Sequence, residues 1–198
     1  MDFSLNEIQE MLADSVDKFI QNEYDFDTRQ GYAESDRGFS DDVWMTFAEL
    51  GWTAVPFAED DGGLGGGPAE IMILMQQLAK GLVVEPYLAN VVLAGGILRR
   101  AANAEQKERW LQPLIAGELH ASLAFNEPQA RYRLASIATT ATRDGDDWIL
   151  NGRKGFVLNG GTSNLLIVPA RTSGDTDDER GITLFAVAAD SGGLACNA

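Results

Sequence analysis

One cysteine and one histidine in 198 residues exclude a good deal of chemistry at the outset. With Cys196 alone, neither an intramolecular disulfide nor a thiolate metal cluster can form. With His120 alone, a two-histidine metal site is ruled out, and a Ser-His-Asp triad would have to be built around that single imidazole. Basic residues are scarce too: 15 Lys and Arg face 30 Asp and Glu, for a net charge of -15. Such a field opposes nucleic acid and anionic membranes as partners. No stretch reaches the roughly 18 apolar residues of a membrane span. The start, Met1 to Glu7, has neither the basic region nor the apolar run of a secretory signal. A reducing, cytoplasmic setting without metal, nucleic acid or membrane span is expected.

What is present is a chain that can bury a core, 45% apolar and 23% charged. Up to about residue 117 the apolar residues recur at helical spacing. Leu5, Ile8, Leu12, Val16 and Phe19 share a stripe, and Ser4 with Glu7 has the form of a capping box. A second helix follows Ser40, turns Val43, Phe47 and Leu50 inward and stops at Gly51. Pro68 opens a third, Ala69 to Lys80, apolar nearly all round and so expected between other helices. Pro86 opens a fourth, and Asn103 caps a fifth, which Pro113 should end or kink near Leu111. Beyond Gly117 the pattern changes to short β-type runs. Strands are expected at 121–125, 137–143, 148–150, 153–158, 165–171 and 182–188, with hairpin turns at Asp144-Gly145 and Asn151-Gly152. Residues 172–180 read as an exposed acidic loop. The fold class is therefore α+β: a helical bundle, 1–117, followed by a small antiparallel β-barrel or sandwich, 118–198. That order argues against a nucleotide-binding parallel sheet.

The cluster Asp61-Gly62-Gly63-Leu64-Gly65-Gly66-Gly67 invites a phosphate loop, but the Gly-Lys spacing and a preceding strand are missing, and Pro68 removes an amide. It reads better as a flexible connection. His120 reads as a strand residue. The carboxylates are many and scattered, and no pair stands out for acid and base work. Two segments carry more. Leu123-Ala124-Phe125-Asn126-Glu127-Pro128 is a strand exit that proline turns, fit either to grip a flat polar ring or simply to leave a sheet. Asn151-Gly152-Arg153-Lys154-Gly155-Phe156-Val157-Leu158-Asn159-Gly160-Gly161 offers an aromatic that either covers a planar ligand or belongs to the core.

Taken in order, these pieces resemble the acyl-CoA dehydrogenase family over almost the whole chain. The similar signatures are Glu49-Leu50-Gly51-Trp52, the glycine cluster, Gln106-Lys107-Glu108-Arg109-Trp110-Leu111-Gln112-Pro113-Leu114, Ala116-Gly117-Glu118, Asn126-Glu127-Pro128, Asn151-Gly152-Arg153-Lys154 and Asn159-Gly160-Gly161. The resemblance implies FAD against the β domain, an acyl-CoA substrate oxidised to the 2,3-enoyl-CoA, an electron-transfer flavoprotein or similar acceptor, and a homo- or hetero-oligomer. It places Phe125 and Asn126 along the flavin edge, Phe156, Val157 and Leu158 on the ring, Arg131 at a phosphate and Tyr132 toward the substrate.

The sequence departs from the family pattern at several of these positions. Asn126 stands where a threonine is usual, and Leu158, where another is usual, cannot donate to the ring. Arg131-Tyr132-Arg133 replaces small residues beside the flavin phosphates. In the family a further helical domain carries the catalytic glutamate, so the base is expected outside this sequence, on a continuation or on another polypeptide. The alternatives to a dehydrogenase are a non-catalytic partner subunit and a relative of flavin monooxygenases or nitroalkane oxidases. Uncovered apolar helix faces, and self-association through them, are also expected.

Overall fold

The first helix, α1 (Glu7–Glu23), opens at Asn6. The Asn6 side chain accepts from the Gln9 amide at 2.9 Å, and the Gln9 side chain accepts from the Asn6 amide at 3.1 Å. This reciprocal pair satisfies two amides that a helix start leaves without partners. It lies two residues beyond the Ser4–Glu7 box expected from sequence, so Leu5 falls outside the helix. The computed structural model describes residues 4–197. Two units are distinguished along the chain, one ending at Leu119 and one beginning at His120.

In the helical unit, α1 buries Ala13, Val16 and Phe19 while Ile8 and Met11 stay exposed. A second helix, α2 (Phe26–Ala33), has no buried residue. Lacking an apolar stripe, it gives no periodic signal, and it starts where the Asp25 carboxylate accepts from the Thr28 amide at 2.8 Å. Ser40 caps α3 (Asp41–Glu49), which buries Val43, Trp44 and Phe47. Leu50, expected inward, is exposed, because the chain has already turned toward Gly51 at φ +77°. Phe47 and Trp52 meet at 4.9 Å between ring centroids, with Phe19 edge-on to both. This aromatic group anchors the core of the unit.

The glycine-rich loop is not a flexible connection. Gly63 donates to the Ala58 carbonyl, Leu64 to Ala54, Gly65 to Phe57 and Gly66 to Val55, at 2.7–3.0 Å. A Cβ on Gly63 would stand 2.2 Å from the Phe57 carbonyl oxygen. These glycines let two backbones touch, and amides already spent on protein carbonyls cannot hold a phosphate.

Helix α4 (Pro68–Lys80) buries Ile73, Leu74 and Leu78, but Met72 is exposed, so it is covered on one side rather than all round. A π-helical stretch, Leu88–Gly95, continues into α5 (Gly96–Ala101). Asn103 caps α6 (Ala104–Gln106) with Gln106, as the sequence implies. Pro113 does not end that helix. Residues Lys107–Leu111 widen to π geometry, the Gln112 amide reaching back to the Lys107 carbonyl, and α7 (Gln112–Ile115) carries the proline on. The wider turn accommodates a ring that would clash in an unbroken α-helix.

The second unit is a mixed five-stranded sheet: β1 (Ala121–Leu123), β2 (Thr140–Asp144), β3 (Asp147–Asn151), β4 (Leu165–Arg171) and β5 (Ile182–Ala188). β4 is buried along its whole length. It runs antiparallel to β5 but parallel to β1 and, at Thr140 and Arg171, to β2. The β2–β3 and β4–β5 pairs are antiparallel, as an antiparallel barrel or sandwich implies. The parallel pairs arise because β1 reaches β4 through a long crossover instead of a tight turn. Among the described residues the sheet does not close into a barrel. The β2–β3 hairpin turns at Gly145, φ +63°, as expected.

Two expectations fail here for local reasons. The strand expected from 137 starts only at Thr140, since the Ala138 and Thr139 amides donate to the Glu127 carboxylate instead of to a neighbouring strand. The expected hairpin at Asn151-Gly152 and strand at 153–158 are instead the end of β3 and an irregular segment. Gly152 serves a close approach, a Cβ there lying 2.3 Å from Thr139 Oγ1. Among the described residues no helix is long and apolar enough to cross a membrane.

Candidate functional site

The exit of β1 sets the first half of the site. The Ala124 amide donates to the Ile167 carbonyl at 2.9 Å, which keeps the chain on the sheet for one residue beyond the strand. Phe125 then comes out to 40% exposure, Asn126 is half-buried, and Glu127 turns inward to 2%. Pro128 begins a series of turns closed by Ala130 donating to the Glu127 carbonyl and Arg133 to Ala130. Arg131 sits in this series at φ +51°, and Tyr132 beside it is 99% exposed.

Residues 152–163 provide the second half. The Gly155 amide donates to the Asn126 carbonyl at 2.9 Å, so the two segments singled out in the sequence lie side by side. Phe156 follows at φ +51° with 92% of its surface exposed. A phenylalanine in the left-handed region and in solvent is doubly disfavoured, and such strain gathers at functional positions. Val157 is half-buried and packs against the cluster of Ala124, Leu166 and Val168. Leu158 is exposed again. Its carbonyl accepts from the buried Ser122 hydroxyl at 2.7 Å; Ser122 and Ser163 oxygens lie 2.6 Å apart, and Ser163 donates to the Asn159 carbonyl at 2.9 Å.

Beneath both halves lies a charged pair that reading the sequence missed. Lys154 donates to Glu127 Oε1 at 2.6 Å, with both side chains almost fully buried. The same carboxylate accepts from the Ala138 amide at 2.8 Å, the Thr139 amide at 3.1 Å and the Gln129 side chain. Burial by itself pushes the Glu127 carboxyl up, but the Lys154 ammonium and these donors outweigh it and hold the group at about 2. Burial draws Lys154 down, with Glu127 opposing. Glu127 is thus ionised and fully occupied, and it is not available to take a proton from a ligand. Both residues stood inside quoted motifs. The only signal was that a Glu and a Lys lie in the two segments singled out, and one-dimensional spacing cannot show that these places meet.

His120 is structural: it is buried, its amide donates to the Asn164 side chain and its carbonyl accepts from the Asn164 and Leu165 amides. Among the described residues no group of three potential metal ligands occurs.

The arrangement brings exposed aromatic and aliphatic side chains, Phe125, Phe156 and Leu158, and the Asn126 amide onto two segments joined by a backbone bond and held by buried polar bonds at Glu127, Lys154 and Ser122. It suits a flat ring with a polar edge. Residues 6–118 match the model for the acyl-CoA dehydrogenase N-terminal domain, and residues 122–198 match that for the acyl-CoA dehydrogenase middle domain. The chain belongs to the acyl-CoA dehydrogenase family. It is 29% identical over 191 residues to a short-chain specific acyl-CoA dehydrogenase of Clostridium acetobutylicum, covering 94% of this chain and 49% of that one. Among solved structures, the FAD complex of PigA matches at a TM-score of 0.86 with 26% identity, over 98% of this chain and 51% of the other. The ChsE4-ChsE5 complex of Mycobacterium tuberculosis matches at 0.85 with 25% identity, over 98% and 50%. The chain spans about a third to a half of the length of the curated relatives it matches.

Proposed function

We propose that the β unit binds FAD with the isoalloxazine ring on the shelf of Phe125, Asn126, Phe156 and Leu158, and that the whole protein oxidises an acyl-CoA thioester to its 2,3-enoyl-CoA. The observation that carries this reading is Phe156, held against its backbone preference with its ring in solvent, on a segment bonded directly to Asn126. The match to an FAD complex over nearly the whole chain supports it.

The residues fit the cofactor in kind. Phe156 supplies an aromatic face and Phe125 an apolar edge. Asn126 brings an amide able to donate and accept. Arg131, at the exposed tip of the turn, brings a guanidinium suited to a phosphate, and Tyr132 an exposed phenol on the substrate side. Leu158 contributes surface but no side-chain donor. When bound, the flavin supplies a two-electron hydride acceptor, and the protein supplies binding, orientation and exclusion of water. The proton leaving the substrate is assigned to no residue of this chain: the one buried carboxylate at the site is locked to Lys154. Self-association or pairing with a related chain, and transfer of electrons to a flavoprotein acceptor, belong to the same proposal, and the likeness to a two-protein complex supports the first.

A second reading, a non-catalytic subunit that completes a partner's site, is favoured by Leu158 and by the bulky Arg131-Tyr132 pair. Titrating the purified protein with FAD while following flavin fluorescence and the visible band separates the two. One flavin bound per chain, weakened about tenfold in Phe156→Ala and bleached by an acyl-CoA without oxygen, is the expected result. An unchanged flavin signal would overturn the proposal. Flavin bound by only a fraction of the chains in a mixed assembly would favour the partner subunit.

A further inference from the structure

We propose that Glu127 and Lys154 are positioning residues for this shelf, their buried ion pair setting where the segment carrying Phe156 lies against the turn carrying Asn126. The proposal rests on the flavin reading above and gives the pair a role in it.

Two bonds join the segments at adjacent places: Gly155 amide to Asn126 carbonyl at 2.9 Å, and Lys154 ammonium to Glu127 carboxylate at 2.6 Å. The two partners of the ion pair are buried, while beside them Asn126 is half-buried and Phe156 is exposed. One carboxylate gathers donors from residues 129, 138, 139 and 154, so parts of the chain that share no strand ladder converge on it. An apolar pair would fill the same space without fixing direction, whereas a charge pair surrounded by directed donors accepts one arrangement.

Phe156 needs such support. Its backbone lies in a region a phenylalanine leaves when free to do so. It is held from both sides: Lys154, two residues before, is tied to Glu127, and Leu158, two residues after, is tied through its carbonyl to Ser122. Releasing the first tie frees the aromatic ring to follow its backbone preference, without touching the β4–β5 ladder that holds the sheet.

Amide hydrogen exchange by NMR on the flavin-free protein tests positioning by itself. In Lys154→Met, the Gly155 amide should lose at least about tenfold more protection than the amides of β4, which fall only with the stability of the unit as a whole. Lys154→Arg should restore most of the protection. Glu127→Asp keeps the charge but withdraws the carboxylate by one methylene, and it should loosen Gly155 in the same way if the methionine variant does not fold. The flavin arm should show about tenfold weaker FAD binding and an altered visible spectrum for the flavin that remains bound. Native exchange at Gly155 in these variants, or equal loss of protection along β4, would overturn the proposal. A native protein that ignores FAD would instead overturn the flavin reading, and the exchange result would still decide the role of the pair.

Discussion

Replacing Glu127 by glutamine tests how strongly the buried network holds the β unit. The folded carboxyl sits at about 2 against an ordinary 4.5. At about 1.4 kcal/mol per pH unit, that gap amounts to about 3 kcal/mol of stability, close to the roughly 3–5 kcal/mol usual for breaking a buried pair. The sign follows from linkage: the folded pKa lies below the unfolded one, so the contribution is fully present above about 4.5 and drains away as pH falls toward about 2. Glu127→Gln should therefore weaken the β unit by about 3 kcal/mol at pH 7, with the gap to the native protein closing in acid. Adding Lys154→Met should recover much of the loss, because no unpaired ammonium is then left buried. Urea unfolding of 5-fluorotryptophan-labelled protein, read at Trp148, is the assay. That tryptophan packs on Phe185 at 5.4 Å between centroids and reports the β unit. A difference between native and Glu127→Gln protein that does not change between pH 6 and 3 would refute the reasoning.

Glu85 should behave oppositely. Burial raises its carboxyl, though Tyr24 and the Ser40 amide donate to it, so its contribution is present below the unfolded pKa and lost as pH rises through the folded one. Stability of Glu85→Gln relative to the native protein should rise with pH, as a series of urea midpoints will show. Phe156→Gly should relieve the left-handed backbone and stabilise the β unit by about 1 kcal/mol in thermal melts while weakening FAD binding, a gain and a loss in one variant. Gly63→Ala places a Cβ against the Phe57 backbone and should destabilise the helical unit by about 2 kcal/mol or more, whereas Gly31→Ala, in α2 with open space around it, should stabilise by about 0.5–1 kcal/mol in the same melts. Asn6→Ala removes the cap of α1 and should cost about 1 kcal/mol in urea titrations.

The parts of the fold that could be read in the sequence are those that local chemistry decides. Ser40, Asn103, Pro68 and the Gly145 turn mark their elements where expected, because caps and turns depend on a few adjacent residues. β4 and β5 were legible because a run of apolar or β-branched residues needs no further information. The helix α2 was not, having a cap but no buried face. The strand expected at 153–158 failed because its composition is β-like, yet the Glu127 carboxylate, Lys154 and Ser122 pull its backbone elsewhere. At the candidate site, the sequence offers Phe125, Asn126, Phe156 and Leu158 as residue types within motifs. What fixes them, an ion pair spanning 27 residues and a serine pair spanning 41, depends on which places meet in three dimensions.

The acidic stretch between β4 and β5 looks like the natural place to cut or lengthen this chain. Yet the Arg171 guanidinium, at the end of β4 and buried, donates to the carbonyls of Ala135, Thr176, Asp178 and Arg180. The stretch is wound around a cation like thread around a peg, and the turn that leads from Arg131 is tied to the same peg at Ala135. A tag or a protease site placed at 176–180 would therefore disturb residues more than 35 positions upstream, and the bare hairpin tip at Gly145 is the safer place to graft.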